Sequence, residues 1–270
     1  MTEFTSRPRR RIRRPPTVLV VLAAMGAAVF AIPLLGLLAQ TPWRDLPALL
    51  STDIVADALR LSVVASLGAT AISAAIGVPL AWVLARVDFP GRAFVRGLVV
   101  LPLVIPPVVG GAALLFALGR RGVIGEPLHE ATGLVLPFST WGVVIATTFV
   151  AMPFLVITVE GALRNLDRRY EGAAATLGAG PWTVLRRVTL PMIAPSLAAG
   201  LVLTWARALG EFGATITFAG NLQGRTQTLP LAVFVALESD RDTAVVLSLI
   251  LVVISLTVLI LFRERWWKAL

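Results

Sequence analysis

The sequence has no cysteine and only one histidine, His129, among its 270 residues. Without cysteine the chain cannot form disulfides or thiolate metal sites, and it has no cysteine nucleophile. The phosphate-binding signature GxxxxGK[ST] is absent, as are HExxH, GxSxG and any pair of carboxylates placed on one face. We therefore expect no catalytic residue, metal site or cofactor in this chain, and any energy input must come from a partner or an ion gradient.

Charged residues are scarce as well. They make up 14% of the chain against 57% hydrophobic residues, and the mean hydropathy is +0.86. A helix needs about 20 apolar residues to span a membrane, and runs of that kind predict six transmembrane helices near 17-39, 61-85, 97-119, 138-159, 190-211 and 243-262. The sequence therefore predicts an all-α integral membrane protein. Residues 17-270 form one helical bundle after a basic tail, 1-16, that we expect to be disordered.

Arginine and lysine residues are distributed unevenly between the two sides of this bundle. The two termini, the second loop and the long fourth loop together carry 17 of them, whereas the first, third and fifth loops carry five. Positively charged loops stay on the cytoplasmic side, so both termini and the long loop are predicted to be cytoplasmic. Topology and anionic lipid headgroups account for most of the net charge of +9, and no nucleic-acid partner is needed.

The long loop, residues 160-187, has a helix-turn-helix pattern between two spans. Residues 167-177 favour a short helix that ends at Gly178, which suits a left-handed cap. A second helix is predicted to begin at Pro181 and to end at Leu190 and Pro191, before the fifth span. The loop also carries small residues and apolar anchors: Gly172, Ala173, Ala174, Ala175, Tyr170, Leu177 and Trp182. This pattern fits either a docking helix for another protein or an interfacial helix on the lipid headgroups.

The segment EGAAATLGAGPWTVLRRVTLP, residues 171–191, resembles the EAA loop of the permease subunits of ATP-binding-cassette importers. The matching positions are Ala173, Ala174, Gly178, Val188, Leu190 and Pro191. Gly172 occupies the usual glutamate position, and the acid lies one residue earlier, at Glu171. The resemblance implies a type I importer permease of the MetI-like fold, in which this loop is a coupling helix that docks on a cytoplasmic ATPase. It assigns coupling to Glu171, Gly172, Ala173, Ala174, Leu177, Gly178, Trp182, Leu190 and Pro191.

Two further segments look most like the molybdate branch of these permeases and, more distantly, like the sulfate branch. They are RALGEFGATITFAGN with the following TQTLP, residues 207–221 and 226–230, and LPLVIPPVVGG, residues 101–111. The resemblance implies import of molybdate, with sulfate or tungstate as the alternative. It also implies a homodimer of this chain in the bacterial plasma membrane, a pair of cytoplasmic ATPases that use ATP and Mg, and an extracytoplasmic oxyanion-binding protein.

The same segments hold the candidate translocation pathway or gate: Arg207, Glu211, Phe212, Gly213, Thr215, Thr217, Pro106 and Pro107. Arg207 and Glu211 lie four residues apart on the predicted fifth helix, so they share a face and can pair. The arginine then either holds an oxyanion weakly or belongs to a structural ion pair. Pro102, Pro106 and Pro107 are expected to interrupt the third helix, either lining a cavity or forming a packing kink.

Two other classes of protein compete with this interpretation. A gradient-driven secondary transporter is expected to show inverted repeats and more carboxylates near mid-membrane, where Glu211 is the one clear candidate. The long cytoplasmic loop would have no role there. An intramembrane enzyme needs clustered catalytic groups, which one histidine and no cysteine do not supply. Co-purification of an ATPase distinguishes the importer from both.

Overall fold

The computed structural model describes residues 16–261, and within this range all regular secondary structure is helical. The helices are α1 (Thr17–Ala39), α2 (Leu46–Leu50), α3 (Asp53–Ile72), α4 (Val78–Arg86), α5 (Arg92–Val104), α6 (Pro107–Leu118), α7 (Gly125–Thr132), α8 (Thr140–Asn165), α9 (Arg169–Thr176), α10 (Pro181–Val184), α11 (Leu190–Leu209), α12 (Gly213–Phe218), α13 (Leu229–Ser239) and α14 (Arg241–Leu261). Two π-helical turns, Ser73–Gly77 and Leu185–Thr189, join α3 to α4 and α10 to α11. The predicted disorder of the basic tail, and the basic C-terminus at 263–268, lie outside the described residues.

α1 belongs to a separate compact unit that ends at Thr41. Its 23 residues carry no charged side chain and have a mean hydropathy of 2.7. At 1.5 Å per residue a helix of this length is about 35 Å long, which is enough to cross the hydrocarbon layer. Its bounds coincide with the first predicted span.

Five helical segments of the described residues are long and apolar enough to cross a membrane: Thr17–Ala39, Asp53–Arg86, Thr140–Asn165, Pro181–Leu209 and Arg241–Val258. They correspond to five of the six predicted spans. The remaining one, the third predicted span at 97-119, is divided into α5 and α6 by a break at Ile105 and Pro106. Prolines 106 and 107 cannot donate helical hydrogen bonds, so the predicted interruption occurs there. Pro102, in contrast, lies inside α5 without ending it.

α8 is the central helix of the unit that follows Thr41. It packs against α3, α4, α5, α6, α11 and α12, and most of its span is buried. Small residues permit this crowding: a Cβ atom added to Gly200 of α11 would lie 3.0 Å from the Cδ1 atom of Leu155 on α8. Because lipid tails are as apolar as the helix surfaces, the hydrophobic effect does little to hold membrane helices together, and close van der Waals packing of this kind stabilises their association. The bundle is therefore built around the fourth span.

The same helix extends further than the sequence indicated. The long loop was expected to begin at Glu160, but α8 continues to Asn165, and Glu160 is buried within it. The reason is tertiary, because this carboxylate is paired inside the bundle and so does not need water. The loop proper therefore starts at residue 166, six residues later than expected.

The loop predicted between the fifth and sixth spans contains two helices, α12 and α13, that hydropathy did not reveal. α13 buries Leu229, Ala232 and Ala236 against α3 and α14. The backbone N–H of Leu229 donates to the Ser62 hydroxyl at 2.7 Å, which fixes the start of the helix to α3. With 11 residues α13 is too short to span a membrane, so a search for long apolar runs misses it.

α14 begins with a side-chain cap at Asp240. Its carboxylate accepts the backbone N–H groups of Asp242 and Thr243 at 3.1 and 3.3 Å, and it accepts the Thr243 hydroxyl at 2.6 Å. These bonds, led by that from the Thr243 hydroxyl, hold the pKa of Asp240 below its ordinary value, because they stabilise the charged form. The sixth span therefore has a well-defined start.

Candidate functional site

The segment predicted to couple to an ATPase folds into two short helices, α9 and α10. The Asp167 carboxylate accepts the backbone N–H of Arg169, the first residue of α9, at 2.9 Å. Gly178 ends this helix with a φ angle of +85°. The N–H groups of Gly178 and of the residue after it donate to the carbonyls of Ala175 and Ala174, which is a Schellman motif. The predicted left-handed cap at Gly178 is confirmed.

α9 leaves most of its surface uncovered by the chain. Among its eight residues only Glu171 and Ala174 are partly buried, while Gly172 and Ala173 are exposed. Leu177, directly after the helix, is 89% exposed. A small-residue surface next to a large apolar side chain allows close backbone approach and gives an anchor for a pocket on another protein. Trp182 at the start of α10 adds a second exposed anchor.

The carboxylate of Glu171 points toward the bundle instead. Its Oε1 atom accepts a hydrogen bond from Nη2 of Arg86 at 3.1 Å and another from the Thr189 hydroxyl at 2.7 Å. Arg86 is the last residue of α4, and Thr189 is the last residue of the π turn before α11. Glu171 therefore connects the loop helix to the end of one apolar helical segment, Asp53–Arg86, and to a position within another, Pro181–Leu209. The resemblance left this partner undetermined, since Arg86 is 85 residues away in sequence.

Leu190 and Pro191 lie within one continuous helical segment, Pro181–Leu209, and the expectation that they end the second loop helix is wrong. The π turn Leu185–Thr189 makes this continuity possible. In this turn the N–H of Leu190 donates to the carbonyl five residues back, at Leu185. The backbone hydrogen-bond pattern thus changes from four to five residues just before Pro191, which has no N–H to donate. α10 is thus the first turn of the continuous helical segment that contains the fifth span.

The candidate pathway residues are brought together where two helices are broken. The first break, at Pro106, separates α5 from α6, and the second, at residues 210–212, separates α11 from α12. A Cβ atom on Gly213 would lie 2.9 Å from Cβ of Pro107, so the two breaks are in contact. Next to them, a Cβ on Gly111 would lie 2.7 Å from the carbonyl oxygen of Ala214. α6 and α12 therefore pack backbone to backbone.

Arg207 and Glu211 form the predicted ion pair. Glu211 does not lie on the fifth helix as expected, however, because α11 ends at Leu209 and the glutamate lies in the break that follows. Its other oxygen, Oε1, accepts the backbone N–H of Ala214 at 2.8 Å and so caps α12. The Glu211 side chain is 1% exposed, and that of Arg207 is 28% exposed. In this conformation the pair holds the break together, and both oxygens of the carboxylate are occupied.

The remaining pathway candidates are partly or fully covered. Phe212 is half-buried, and its ring lies 5.3 Å from that of Phe234 on α13. Thr217 donates its hydroxyl to the carbonyl of Gly213 at 2.9 Å. Thr215 is fully buried, and its hydroxyl has no hydrogen-bond partner among the described residues. Thr215 and Thr217 lie in the packed junction of the broken helices, and Phe212 lines a cavity of about 450 Å³ against α13 and α14.

One ion cluster was missed by the sequence reasoning. The buried carboxylate of Glu160 pairs with Arg164 one turn later, at 3.1 Å, and with Arg96 of α5. Arg96 also approaches the carbonyl of Leu84 at 3.5 Å. The cluster ties the ends of α4, α5 and α8 together. The spacing of Glu160 and Arg164 signals the first pair, but nothing local signals Arg96. Within residues 16–261 no group of three or more His, Asp or Glu side chains is placed to hold a metal ion.

Comparison with curated proteins gives closely related sequences. The chain is 49% identical over 250 residues to the "Molybdenum transport system permease protein ModB" of Mycobacterium tuberculosis, covering 91% of this chain and 94% of that protein. It is 40% identical over 215 residues to the protein of the same name from Escherichia coli K12, covering 80% and 94%. A "Probable sulfate transport system permease protein cysT" of Marchantia polymorpha is 33% identical over 256 residues, covering 93% and 88%.

Solved structures share the architecture. A bacterial alginate ABC transporter, crystallised in complex with an alginate pentasaccharide-bound periplasmic protein, contains a chain that superposes with a TM-score of 0.74 at 18% identity, covering 92% of each chain. At that identity the likeness establishes the fold. The family described as "Binding-protein-dependent transport system inner membrane component" matches residues 77–266, from the end of the second span through the sixth. The chain belongs to this family of inner-membrane transport components.

Proposed function

We propose that this chain is the membrane-spanning permease subunit of an ATP-driven importer that carries molybdate into the cytoplasm. The observation that carries the proposal is the 49% identity, across 91% of the chain, to a molybdenum transport permease. A sulfate permease is similar over as much of the chain but at 33% identity, so sulfate is the second candidate. Tungstate, a dianion that resembles molybdate, is the third. A gradient-driven transporter is the remote alternative.

In this proposal α9 is the coupling helix, and it docks in a cleft of a cytoplasmic ATPase. The exposed small residues of α9, with Leu177 and Trp182 beside them, support a docking role. The ATPase, a separate subunit, binds ATP and Mg and carries out hydrolysis, and this chain supplies no catalytic group. The continuous segment from α10 into α11 gives displacement of the loop a stiff route into the membrane. ATPase closure thereby biases the bundle between two conformations.

The translocation pathway is proposed to run past the junction of the broken helices. Irregular backbone at membrane depth is tolerated where protein covers it or where it lines a cavity, and the contact of Pro107 with Gly213 places two breaks side by side. We assign the junction as the gate. Arg207 pairs with Glu211 here, so the pair holds the gate, and it does not bind the oxyanion tightly. Weak interaction suits a pathway, because a tightly bound dianion would not be released.

The proposed assembly contains two copies of this chain, two ATPase subunits and an extracytoplasmic oxyanion-binding protein. The crystallised alginate transporter with its periplasmic protein supports the binding-protein partner. Both termini and α9 lie on the cytoplasmic side of a bacterial plasma membrane, as the distribution of arginine indicates. Lipid headgroups are the remaining partner of the basic loops.

Uptake of labelled molybdate tests the substrate. Cells that contain the ATPase and the binding protein are compared with and without this chain, with excess tungstate or sulfate as competitors. We expect uptake that depends on the chain and that tungstate blocks but sulfate does not. Inhibition by sulfate would move the assignment to sulfate import, and an absence of chain-dependent uptake would refute molybdate as the substrate. Co-purification of the ATPase tests the importer class separately.

A further inference from the structure

The attachment of α9 to the rest of the chain depends on very few side chains. Glu171 and Ala174 are the two residues of this helix that are partly buried. Beneath the helix lies a cavity of about 570 Å³, lined among others by Trp82 and Arg86 of α4, Val184 of α10 and Thr189. Because α9 stands over this cavity, close packing does not fix its position. A specific polar contact must therefore do so.

The carboxylate of Glu171 makes that contact. One oxygen atom, Oε1, receives hydrogen bonds from both Arg86 and Thr189, at 3.1 and 2.7 Å. The side chains of Arg86 and Glu171 are only 9% and 20% exposed, so water screens the ion pair little and the charge-assisted bonds are stronger than a surface pair. The other described carboxylate of this loop, Asp167, is directed to the backbone of α9 itself and to the exposed Arg169.

The two partners of Glu171 belong to different spans. Arg86 ends the helical segment Asp53–Arg86, and Thr189 lies inside the segment Pro181–Leu209, which runs on to the second helix break. We infer that Arg86, Glu171 and Thr189 form a latch, through which displacement of α9 is transmitted to the second and fifth spans together. The three are positioning residues, since they act through the helices that they join. This inference rests on the proposed function of α9 as the coupling helix.

The latch also accounts for the departure of this chain from the EAA pattern. The usual glutamate position is Gly172, which is exposed and has no neighbouring atom within 4 Å of an added Cβ. The acid at Glu171 faces the bundle, about 100° around the helix axis from position 172. A carboxylate that pairs within the chain is therefore retained here, and no acid is presented to the ATPase at position 172.

The test uses the complete transporter, with ATPase and binding protein, reconstituted in vesicles. The variants are Glu171→Ala, Arg86→Ala, Thr189→Val and the charge exchange Arg86→Glu with Glu171→Arg. The control is Asp88→Asn, which removes an exposed carboxylate that pairs with Arg92 on the same side of the bundle. Molybdate imported per ATP hydrolysed is measured together with the unfolding temperature. Amide hydrogen exchange of residues 169–176 is measured on the purified complex.

We expect Glu171→Ala and Arg86→Ala to lower the ratio of molybdate to ATP by about fivefold or more, while ATP is still hydrolysed. Exchange of the α9 amides should accelerate about tenfold, as expected for loss of charge-assisted hydrogen bonds. The charge exchange should recover much of the ratio, and the Asp88→Asn control should change neither quantity. A substituted Glu171 with unchanged exchange and unchanged stoichiometry would overturn the latch.

The exchange measurement separates the latch from the proposed substrate. If wild-type vesicles import no molybdate, the substrate assignment fails, yet accelerated exchange in Glu171→Ala and its recovery in the charge-exchanged variant would still support the latch. If Glu171→Ala does not fold, Thr189→Val provides the test, since valine keeps the shape of threonine and loses the donor. Unchanged exchange in that variant would count against the shared role of Thr189.

Discussion

Gly111 offers the sharpest test of the gate, because no side chain fits at its position. A Cβ atom there would lie 2.7 Å from the carbonyl oxygen of Ala214, 2.9 Å from its Cα atom and 2.8 Å from Cβ of Thr217. Two of these three atoms are backbone, so no rotamer change can relieve the contact. Ordinary contacts begin at 3.4 Å, so α6 and α12 must separate by roughly 0.7 Å, the difference between 3.4 and 2.7 Å, to admit one methyl group.

We expect Gly111→Ala to destabilise the protein by about 1–3 kcal/mol, the usual cost of overpacking. Opposing this, alanine favours a helix over glycine by about 0.5–1 kcal/mol, so the lower half of the range is the better expectation. Gly97→Ala on α5 is the matched control. No atom lies within 4 Å of an added Cβ at Gly97, so only the helix preference applies and stability should stay equal or rise slightly.

The assay is thermal unfolding of the two variants in the same detergent, followed by molybdate uptake. Gly111→Ala should unfold at a lower temperature than wild type, and its uptake should fall because the junction of α6 and α12 is displaced. Gly97→Ala should match or exceed wild type in stability and should transport normally. If Gly111→Ala were as stable as Gly97→Ala, the backbone contact between α6 and α12 would not exist as described, and the assignment of this junction as the gate would lose its basis.

Three further outcomes are expected. Gly178→Val should uncouple ATP hydrolysis from uptake without lowering the unfolding temperature of the spans. The reason is that a β-branched residue at a φ of +85° disrupts the end of α9. Normal uptake by this variant would contradict the prediction. Arg207→Ala should lose transport, and exchanging the charges of Arg207 and Glu211 should not restore it. An arginine at position 211 cannot accept the backbone N–H of Ala214, as the Glu211 carboxylate does. Full recovery in an uptake assay would show that this bond is dispensable. The hydrogen bonds from Thr243 lower the pKa of Asp240 from its ordinary value of 3.8. The ionised carboxylate therefore stabilises the folded protein above pH 3.8, and this stabilisation disappears as the pH falls through the lowered pKa. The difference in unfolding temperature between wild type and Asp240→Asn should shrink over that pH range, and a difference that stays constant would contradict the prediction.

Two expectations from the sequence were wrong because each applied a single local rule. Leu190 and Pro191 were expected to end a helix, yet a π turn carries the helix through them. Glu160 was expected in a loop because it is charged, yet pairing with Arg96 and Arg164 buries it in α8. Proline does disfavour a helix interior and burial of a charge is costly, but here a π turn accommodates Pro191 and two arginines pair with Glu160.

α13 shows a different limit. The helix is apolar up to Glu238 and Ser239 at its end, but at 11 residues it is too short to be distinguished from a loop by hydropathy alone. It is held in place by burial against α3 and α14. A short helix is marginal by itself, so its existence depends on partners that the linear sequence does not reveal.

The sequence by itself determined the properties that depend on neighbours along the chain. The membrane spans follow from runs of about 20 apolar residues, the end of α9 follows from a glycine that tolerates positive φ, and the break in the third span follows from Pro106 and Pro107. The tertiary structure alone decided which distant groups meet. Glu171 selects Arg86 across 85 residues, and the two helix breaks meet at Pro107 and Gly213. Such contacts depend on how whole helices pack around α8, because burial of a carboxylate in the bundle requires a partner that another helix brings to it.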